Sequence, residues 1–370
     1  MGGVPKRRSK LIDLAQYFAA RGVLGWMQCF SVDQNLHTAA RIGSLLHHFS
    51  RRHRERARQN VAACFPEAPA AWVDQIVEKS FQHMMQMFLV DAFIGPKLIT
   101  PDGWPNHVEV GDLRTALEPL ARHEAVILIA GHCGNWELMS SFMAAIGYPM
   151  AALARPLDNP YLNHWLMSMR EARGTQIITK WGATPIVQDI LRARGRVAFI
   201  ADQNAGDGGL FAPFFGRLAS SYKSIALLAI RHEAPVVAGW ARRIDGRFRY
   251  QVAVEDVIGP ADWQDQPDPV FYITARYNRA IESMVRRAPE QYLWVHRRWK
   301  SRPRHEREGR PFPARLRDKL GQLPWMTPHE LARIVAASES ETRAIHEVEA
   351  GSQAKGIESE EPARPVSAVS

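Results

Sequence analysis

The chain predicts an α/β fold, with a mixed, mostly parallel central sheet flanked by helices and N-terminal helices that associate with a membrane. Three observations point there. From residue 107 onward, short apolar runs alternate with helical patterns; before that point only helical periodicity is visible; and no internal repeat interrupts the order. A chain of 370 residues with 46% hydrophobic content can bury a sizeable core.

Each element follows from its own pattern. Lys6, Arg7, Arg8 and Lys10 precede an apolar stretch over 11–30 that Asp13, Gln16, Arg21 and Gln28 interrupt. Those polar residues argue against an ordinary spanning helix or a cleaved signal, which need an uninterrupted apolar run. An interfacial helix fits, with Tyr17, Phe18, Val23, Leu24, Trp26, Met27 and Phe30 entering the headgroup boundary and the basic flank meeting anionic lipid; packing on the domain is the alternative. A second helical pattern over 34–60 contains Arg51-Arg52-His53-Arg54-Glu55-Arg56, a charge run that serves as a solvated face or holds phosphates. Residues 68–94 read as a helix pair whose Phe81, Met84, Met85, Met87, Phe88 and Leu89 form a core-facing side.

Strands are expected at 108–110, 126–130, 150–154, 177–179, 197–201, 236–240 and 250–254, with helices at 138–146, 161–173, 186–194, 221–231 and 272–287. Past Lys300 the chain turns Arg- and Pro-rich, with a short helical element within 325–348. From about Ser338 the apolar content is too low to order the chain, so a disordered tail is expected. The organisation reads as a basic, interfacial helical region (1–60), one main domain (61–300), a basic extension (301–337) and the tail (338–370).

The formal charge of +9 predicts attraction to anionic partners, among them nucleic acid, anionic lipid and an acidic carrier protein. No RNA-recognition or zinc-finger motif supports nucleic acid. Cys29, Cys64 and Cys133 form neither a metal motif nor a disulfide framework. Gly206-Asp207-Gly208-Gly209 fails the dinucleotide fingerprint because Phe211 stands where the third glycine belongs, and there is no Walker A sequence. Neither metal nor cofactor is expected.

The chemistry concentrates in Gly131-His132-Cys133-Gly134-Asn135-Trp136-Glu137, directly after the apolar run 125–130. His107 and Asp112 share the H-x-x-x-x-[D/E] spacing, but His107 opens an alternating strand with no turn before it. His132 instead sits at a strand-to-helix turn, where binding and catalytic groups of open α/β sheets collect. Neutral imidazole there can take a proton from a hydroxyl, and Glu137, about one turn into the helix, would hold the other ring nitrogen. A helix cap with a surface glutamate is the bland alternative.

The segment resembles the GH-x-GNWE block of the late lipid A acyltransferases (lauroyl and myristoyl type), a branch of the lysophospholipid acyltransferase superfamily. Three further blocks follow in order. Arg155-Pro156-Leu157-Asp158-Asn159-Pro160-Tyr161-Leu162, with the later Arg170, is similar to R-P-x-x-N-P-x-L. Asp202-Gln203 and Phe211-Ala212-Pro213-Phe214-Phe215-Gly216 resemble the D-Q and F-x-P-F-F-G blocks, and the stretch from Pro289 to Lys300 resembles the terminal signature. A looser likeness lies at 60–67. Two departures stand out: Cys133 occupies a more often aromatic position, and Ser220-Ser221-Tyr222 replaces a threonine-containing stretch.

The resemblance implies an acyltransferase of lipid A biosynthesis at the bacterial inner membrane, facing the cytoplasm. Its donor would be an acyl carrier protein or coenzyme A thioester, its acceptor a lipid A precursor or related glycolipid, and its catalytic pair His132 and Glu137. Donors near Gly134 and Asn135 would stabilise the oxyanion. Arg155 is the leading phosphate anchor because its planar fork grips phosphate bidentately, with Asn159 and Arg170 in support. Asp202 and Gln203 end a strand where acceptor-positioning loops belong, and Phe211, Phe214 and Phe215 would line an acyl groove. The terminal Glu290, Trp294, His296 and Arg297 read as structural. The same residues admit rivals: a thioesterase or lipid hydrolase, a Cys133 nucleophile, or a non-catalytic basic membrane-binding module.

Overall fold

The computed structural model describes residues 9–154, 156–171, 174–179 and 182–357. Lys6, Arg7, Arg8 and Arg155 therefore lie outside the described residues. The chain opens with helices α1 (Lys10–Met27), α2 (Val32–Phe49), α3 (Arg51–Cys64) and α4 (Ala70–Gln86), the last running through a π-helical turn at Met87–Asp91 into α5 (Ala92–Leu98). A capping box between Ser31 and Gln34 starts α2. Residues 34–60, which periodicity reads as one helix, are broken at Ser50, and Arg54 closes the corner by donating to the carbonyls of His47 and His48.

The α/β region follows as β1 (Val108–Val110), α6 (Arg114–Ala121), β2 (Val126–Ala130), α7 (Trp136–Ala145), β3 (Ala151–Ala154), α8 (Pro160–Glu171), β4 (Gln176–Thr179), α9 (Ala183–Arg192) and β5 (Arg196–Ile200). Next come β6 (Leu210–Phe214), β7 (Arg217–Ser221), α10 (Lys223–His232), β8 (Val236–Arg243), β9 (Tyr250–Ile258), α11 (Pro260–Trp263) and α12 (Pro269–Arg287). The seven expected strands form one sheet in the order β1-β9-β8-β2-β5-β3-β4. Its central run from β8 to β4 is parallel, and β9 reverses direction against β8. Both faces are covered, as a parallel sheet requires. On β2, Ile127 and Ile129 enter one apolar cluster while Val126 and Leu128 face the other, so the near-continuous apolar run supplies two cores at once.

The β6–β7 hairpin was not expected, since Pro213 makes its first strand read as a loop. Phe215 and Gly216 turn it with positive φ at both positions, 53° and 68°, which is the conformation that suits a two-residue hairpin. Phe214 and Phe215 are buried at its tip against Trp299 and Trp294.

The C-terminal region is described further along the chain than its composition suggests. Helices α13 (Arg304–Arg307), α14 (Ala314–Gly321) and α15 (Pro328–Ile357) pack onto the domain, with Phe312, Leu320, Leu323 and Ile334 joining the larger core. Order continues through Ser338, which is buried and donates to the fully buried Glu306, itself paired with Arg302. These specific contacts carry the helical element expected within 325–348 past the point where composition suggests disorder, while positions 358–370 of the expected tail lie outside the described residues.

On α1 and the turn after it the apolar residues divide. Met27 is buried and Tyr17 packs on Tyr161 and Trp165, whereas Leu11, Ile12, Phe18, Val23, Trp26 and Phe30 are exposed. No helix among the described residues is long and apolar enough to cross a membrane.

Candidate active site

Two neighbouring strands build the site. β2 and β5 run parallel with Ala130 opposite Ile200, and the ladder continues as the Ala201 amide donates to the Ala130 carbonyl. Two residues beyond each strand come His132 and Asp202. The His132 backbone amide donates to Asp202 Oδ2 at 2.9 Å, and its ring Nδ1–H donates to Asp202 Oδ1 at 2.7 Å. Burial alone would raise the Asp202 carboxyl, but the His132 charge, the two hydrogen bonds from His132 and the Arg298 guanidinium outweigh it and bring it to about 2. The ionised carboxylate thus fixes the proton on Nδ1 and leaves the Nε2 lone pair available. Gln203 Nε2 lies 3.2 Å from that nitrogen and donates to it, and the Trp136 ring packs edge-on against the imidazole.

The expected pairing of His132 with Glu137 is therefore corrected. Glu137 lies in the first turn of α7, and its carboxylate turns to Arg170 of α8 in a bidentate ion pair. That pair also neutralises Arg170, which had been expected to support a phosphate contact. Glu137 and Arg170 still line the same cavity as His132 and Gln203.

Gly134 and Asn135 hold the loop, and both of their backbone amides are engaged within the fold. The Gly134 N–H donates to the Gln291 carbonyl, and the Asn135 N–H donates to that of Ala241. Asn135 is fully buried and its side chain caps α7 by accepting from the Leu138 amide. Gly134 has φ +63°, and a Cβ there would fall 2.2 Å from the Ala241 oxygen, so only glycine fits. Behind it, buried His83 donates from Nε2 to the Gly134 carbonyl; burial pushes this imidazole down to about 3, so it stays neutral. Asn159 is also structural: its amide donates to the Asp13 carbonyl and its oxygen caps the start of α8.

The cavity holding His132 has a volume of about 990 Å³, at the upper end of small-ligand sites. Its walls carry residues from both sheet faces: Leu128, Ala198 and Val237 on one, Ile129, Leu153 and Phe199 on the other. The expected groove residues Phe211, Phe214 and Phe215 are not in its lining, because the hairpin turns them into the core. Helices α6, α7, α9 and α10 supply the apolar walls instead, with Leu117, Met139, Met143, Val187, Ile225 and Leu228.

Cys133 faces away from this cavity, bridging to Tyr292 in an isolated β contact, and burial raises its thiol far above the ordinary value. A buried, protonated thiol is a poor nucleophile. The turn after Asp202 is braced from behind by residues read as structural or passed over. The Asn204 amide donates to His296 Nε2, and the buried Arg298 donates to the Ser220 carbonyl and to Ser221 Oγ.

An imidazole held on a carboxylate and opening on a largely apolar cavity suits acyl transfer, and comparison with known proteins decides the family. The model of the bacterial lipid A biosynthesis acyltransferases matches residues 5–301. The chain belongs to this family. It is 28% identical over 271 residues to a lipid A biosynthesis palmitoleoyltransferase of Escherichia coli K12, covering 71% of this chain and 84% of the relative. The myristoyltransferase of the same organism is 26% identical over 274 residues, covering 71% and 80%, and the lauroyltransferase 25% over 268 residues, covering 71% and 84%. The protein is an acyltransferase of the lipid A biosynthesis type. Helices α13 to α15 of this acyltransferase lie beyond the matched region.

Proposed function

We propose that the enzyme transfers a fatty acyl group from an acyl thioester, borne by acyl carrier protein or coenzyme A, to a hydroxyl of a lipid A precursor or related glycolipid. The observation that carries this reading is the presentation of His132 Nε2 toward an apolar cavity while Nδ1 is locked on Asp202. The acceptor hydroxyl takes the place that the Gln203 amide occupies and donates its proton to Nε2 as its oxygen attacks the thioester carbonyl carbon. The C–S bond then breaks, and the departing thiolate recovers the proton from the imidazolium. Asp202 stabilises that imidazolium. Gln203, displaced from Nε2, supplies an amide N–H for the developing oxyanion, a role that the engaged backbone amides of Gly134 and Asn135 leave open. Glu137 acts through Arg170, fixing the wall beside the histidine.

The enzyme works at the cytoplasmic face of the inner membrane. The exposed Leu11, Ile12, Phe18, Val23 and Trp26 of α1 and Phe30 just after it, continued by Ile42, Leu45, Leu46 and Phe49 of α2, support an interfacial mode of attachment. The test is mass spectrometry of lipids after incubating wild type and His132→Ala with acyl-carrier thioesters and a lipid A precursor. One added acyl chain with wild type only is expected. Free fatty acid without acylated lipid would mean hydrolysis, and turnover by folded His132→Ala would overturn the mechanism.

A further inference from the structure

Helix α3 carries five arginines; Arg54 binds the carbonyls that end α2, Arg58 pairs with Asp74, and among the described residues Arg56 reaches only a backbone carbonyl. Arg52, Arg56 and Asn60 instead follow one another at four-residue spacing along a single stripe of the helix. Asn60 donates to the carbonyls of Trp294 and His296, at 2.8 and 3.0 Å, and Arg56 donates to that of Val295 at 3.4 Å. The stripe therefore lies against the segment that ends in Arg297. Burial, then the charges of Arg297 and Arg52, push the Arg56 guanidinium below its ordinary value. Among the described residues, none of these three arginines meets a carboxylate, and Arg52 and Arg297 are exposed.

Arg56, held on Val295 in the field of Arg297 and Arg52 with no carboxylate beside it, is in a position where an arriving anion is favoured. The location ties that anion to the reaction. His296, bonded to the Asn204 amide, lies in the field of His132 and Asp202 on one side and of Arg56 on the other. The cluster thus begins one imidazole away from the turn that carries Gln203.

We infer that Arg52, Arg56 and Arg297 form a phosphate-binding site that anchors a substrate while its reacting atom lies at His132. Guanidinium forks match phosphate oxygens bidentately, and three of them suit a phosphate monoester or diester better than a single carboxylate. Both substrates of the proposed reaction offer this group: the donor in its phosphopantetheine arm, the acceptor as a sugar phosphate. The ligand's identity rests on the acyl-transfer reading; the anion site does not.

The double variant Arg52→Gln/Arg297→Gln changes two exposed side chains and leaves Arg56 on Val295. Kinetics compare an acyl-coenzyme A with the N-acetylcysteamine thioester of the same chain, and a phosphorylated glycolipid acceptor with its dephosphorylated form. The expected result is a KM about tenfold higher for one phosphate-bearing substrate, with kcat nearly unchanged and its phosphate-free counterpart unaffected. A rise confined to the coenzyme A thioester assigns the donor, and one confined to the phosphorylated acceptor assigns the glycolipid. Unchanged KM for both overturns the site. Inorganic pyrophosphate, titrated by phosphorus NMR, gives a readout independent of turnover: wild type should bind it about tenfold more tightly than the variant. Pyrophosphate binding by a wild type that transfers no acyl group would preserve the site and sink the acyl-transfer reading; acyl transfer with no difference between the proteins would do the reverse.

Discussion

Replacing Asp202 by Asn, beside replacing Glu137 by Gln, decides which acid serves His132. Asp202 holds the imidazole through one contact at 2.7 Å and the backbone through another at 2.9 Å. Once the ring is protonated, a charge pair at that separation is worth about 6 kcal/mol at an effective dielectric of about 20. An asparagine keeps one acceptor oxygen but turns its NH₂ toward one of the two His132 donors, so a loss of roughly 3–4 kcal/mol remains. That corresponds to about 10²- to 10³-fold in kcat. Glu137→Gln breaks an ion pair whose side chains are each 20% exposed, and a loss of about tenfold or less is expected. Single-turnover acyl transfer under saturating donor and acceptor reads the chemical step, and thermal unfolding verifies that both variants fold. If Glu137→Gln lost 10³-fold while Asp202→Asn stayed within threefold of wild type, Glu137 would be the working partner and the Asp202 assignment would fail.

Other expectations follow from the same loop. Gly134→Ala should destabilise the protein by about 3 kcal/mol or more, because its Cβ would meet the Ala241 backbone oxygen at 2.2 Å and the residue is held at positive φ; an unchanged melting temperature would contradict this geometry. Cys133→Ser should retain acyl transfer within a few fold, and total loss in a folded protein would revive a thiol nucleophile. Stability should fall with pH below about 6.5, because His83, held down to about 3, stays neutral in the folded chain while the unfolded chain takes up its proton. One such proton contributes about 1.4 kcal/mol per pH unit. His296, lowered to about 4, acts in the same direction over its own window, and Asp202, held at about 2, adds a loss as pH falls from about 4 toward 2. Denaturant unfolding at pH 7.0 and 5.5 should give a shallower slope for His83→Gln than for wild type; equal slopes would remove His83 as the cause.

The sheet was legible because its strands are short apolar runs between helical patterns, and the seven expected positions lie within a few residues of those found. His132 was legible for the same reason: its turn follows the most apolar of those runs. The carboxylate that contacts His132 was missed because a linear motif favours neighbours in sequence, and Glu137 is five residues from the histidine while Asp202 is 70. A signal was available, since Asp202-Gln203 also follows an apolar strand, but which strands lie side by side is a tertiary fact that periodicity does not encode. The phenylalanines 211, 214 and 215 were misplaced by the unexpected hairpin, and the helix around Ser338 was not foreseen because composition says nothing of a buried partner such as Glu306.

The register between β2 and β5 has a further consequence for how this catalyst can diverge. His132 and Asp202, the proposed base and its carboxylate partner, are brought together by backbone pairing of adjacent strands, so the 69 residues between them do not set their separation. Evolution can lengthen, shorten or reshape that intervening chain, including the walls contributed by α7, α8 and α9, while the proton-transfer geometry stays put. Chain-length preference and acceptor choice can then drift independently of chemistry, as a tool's handle can be recut without touching its edge.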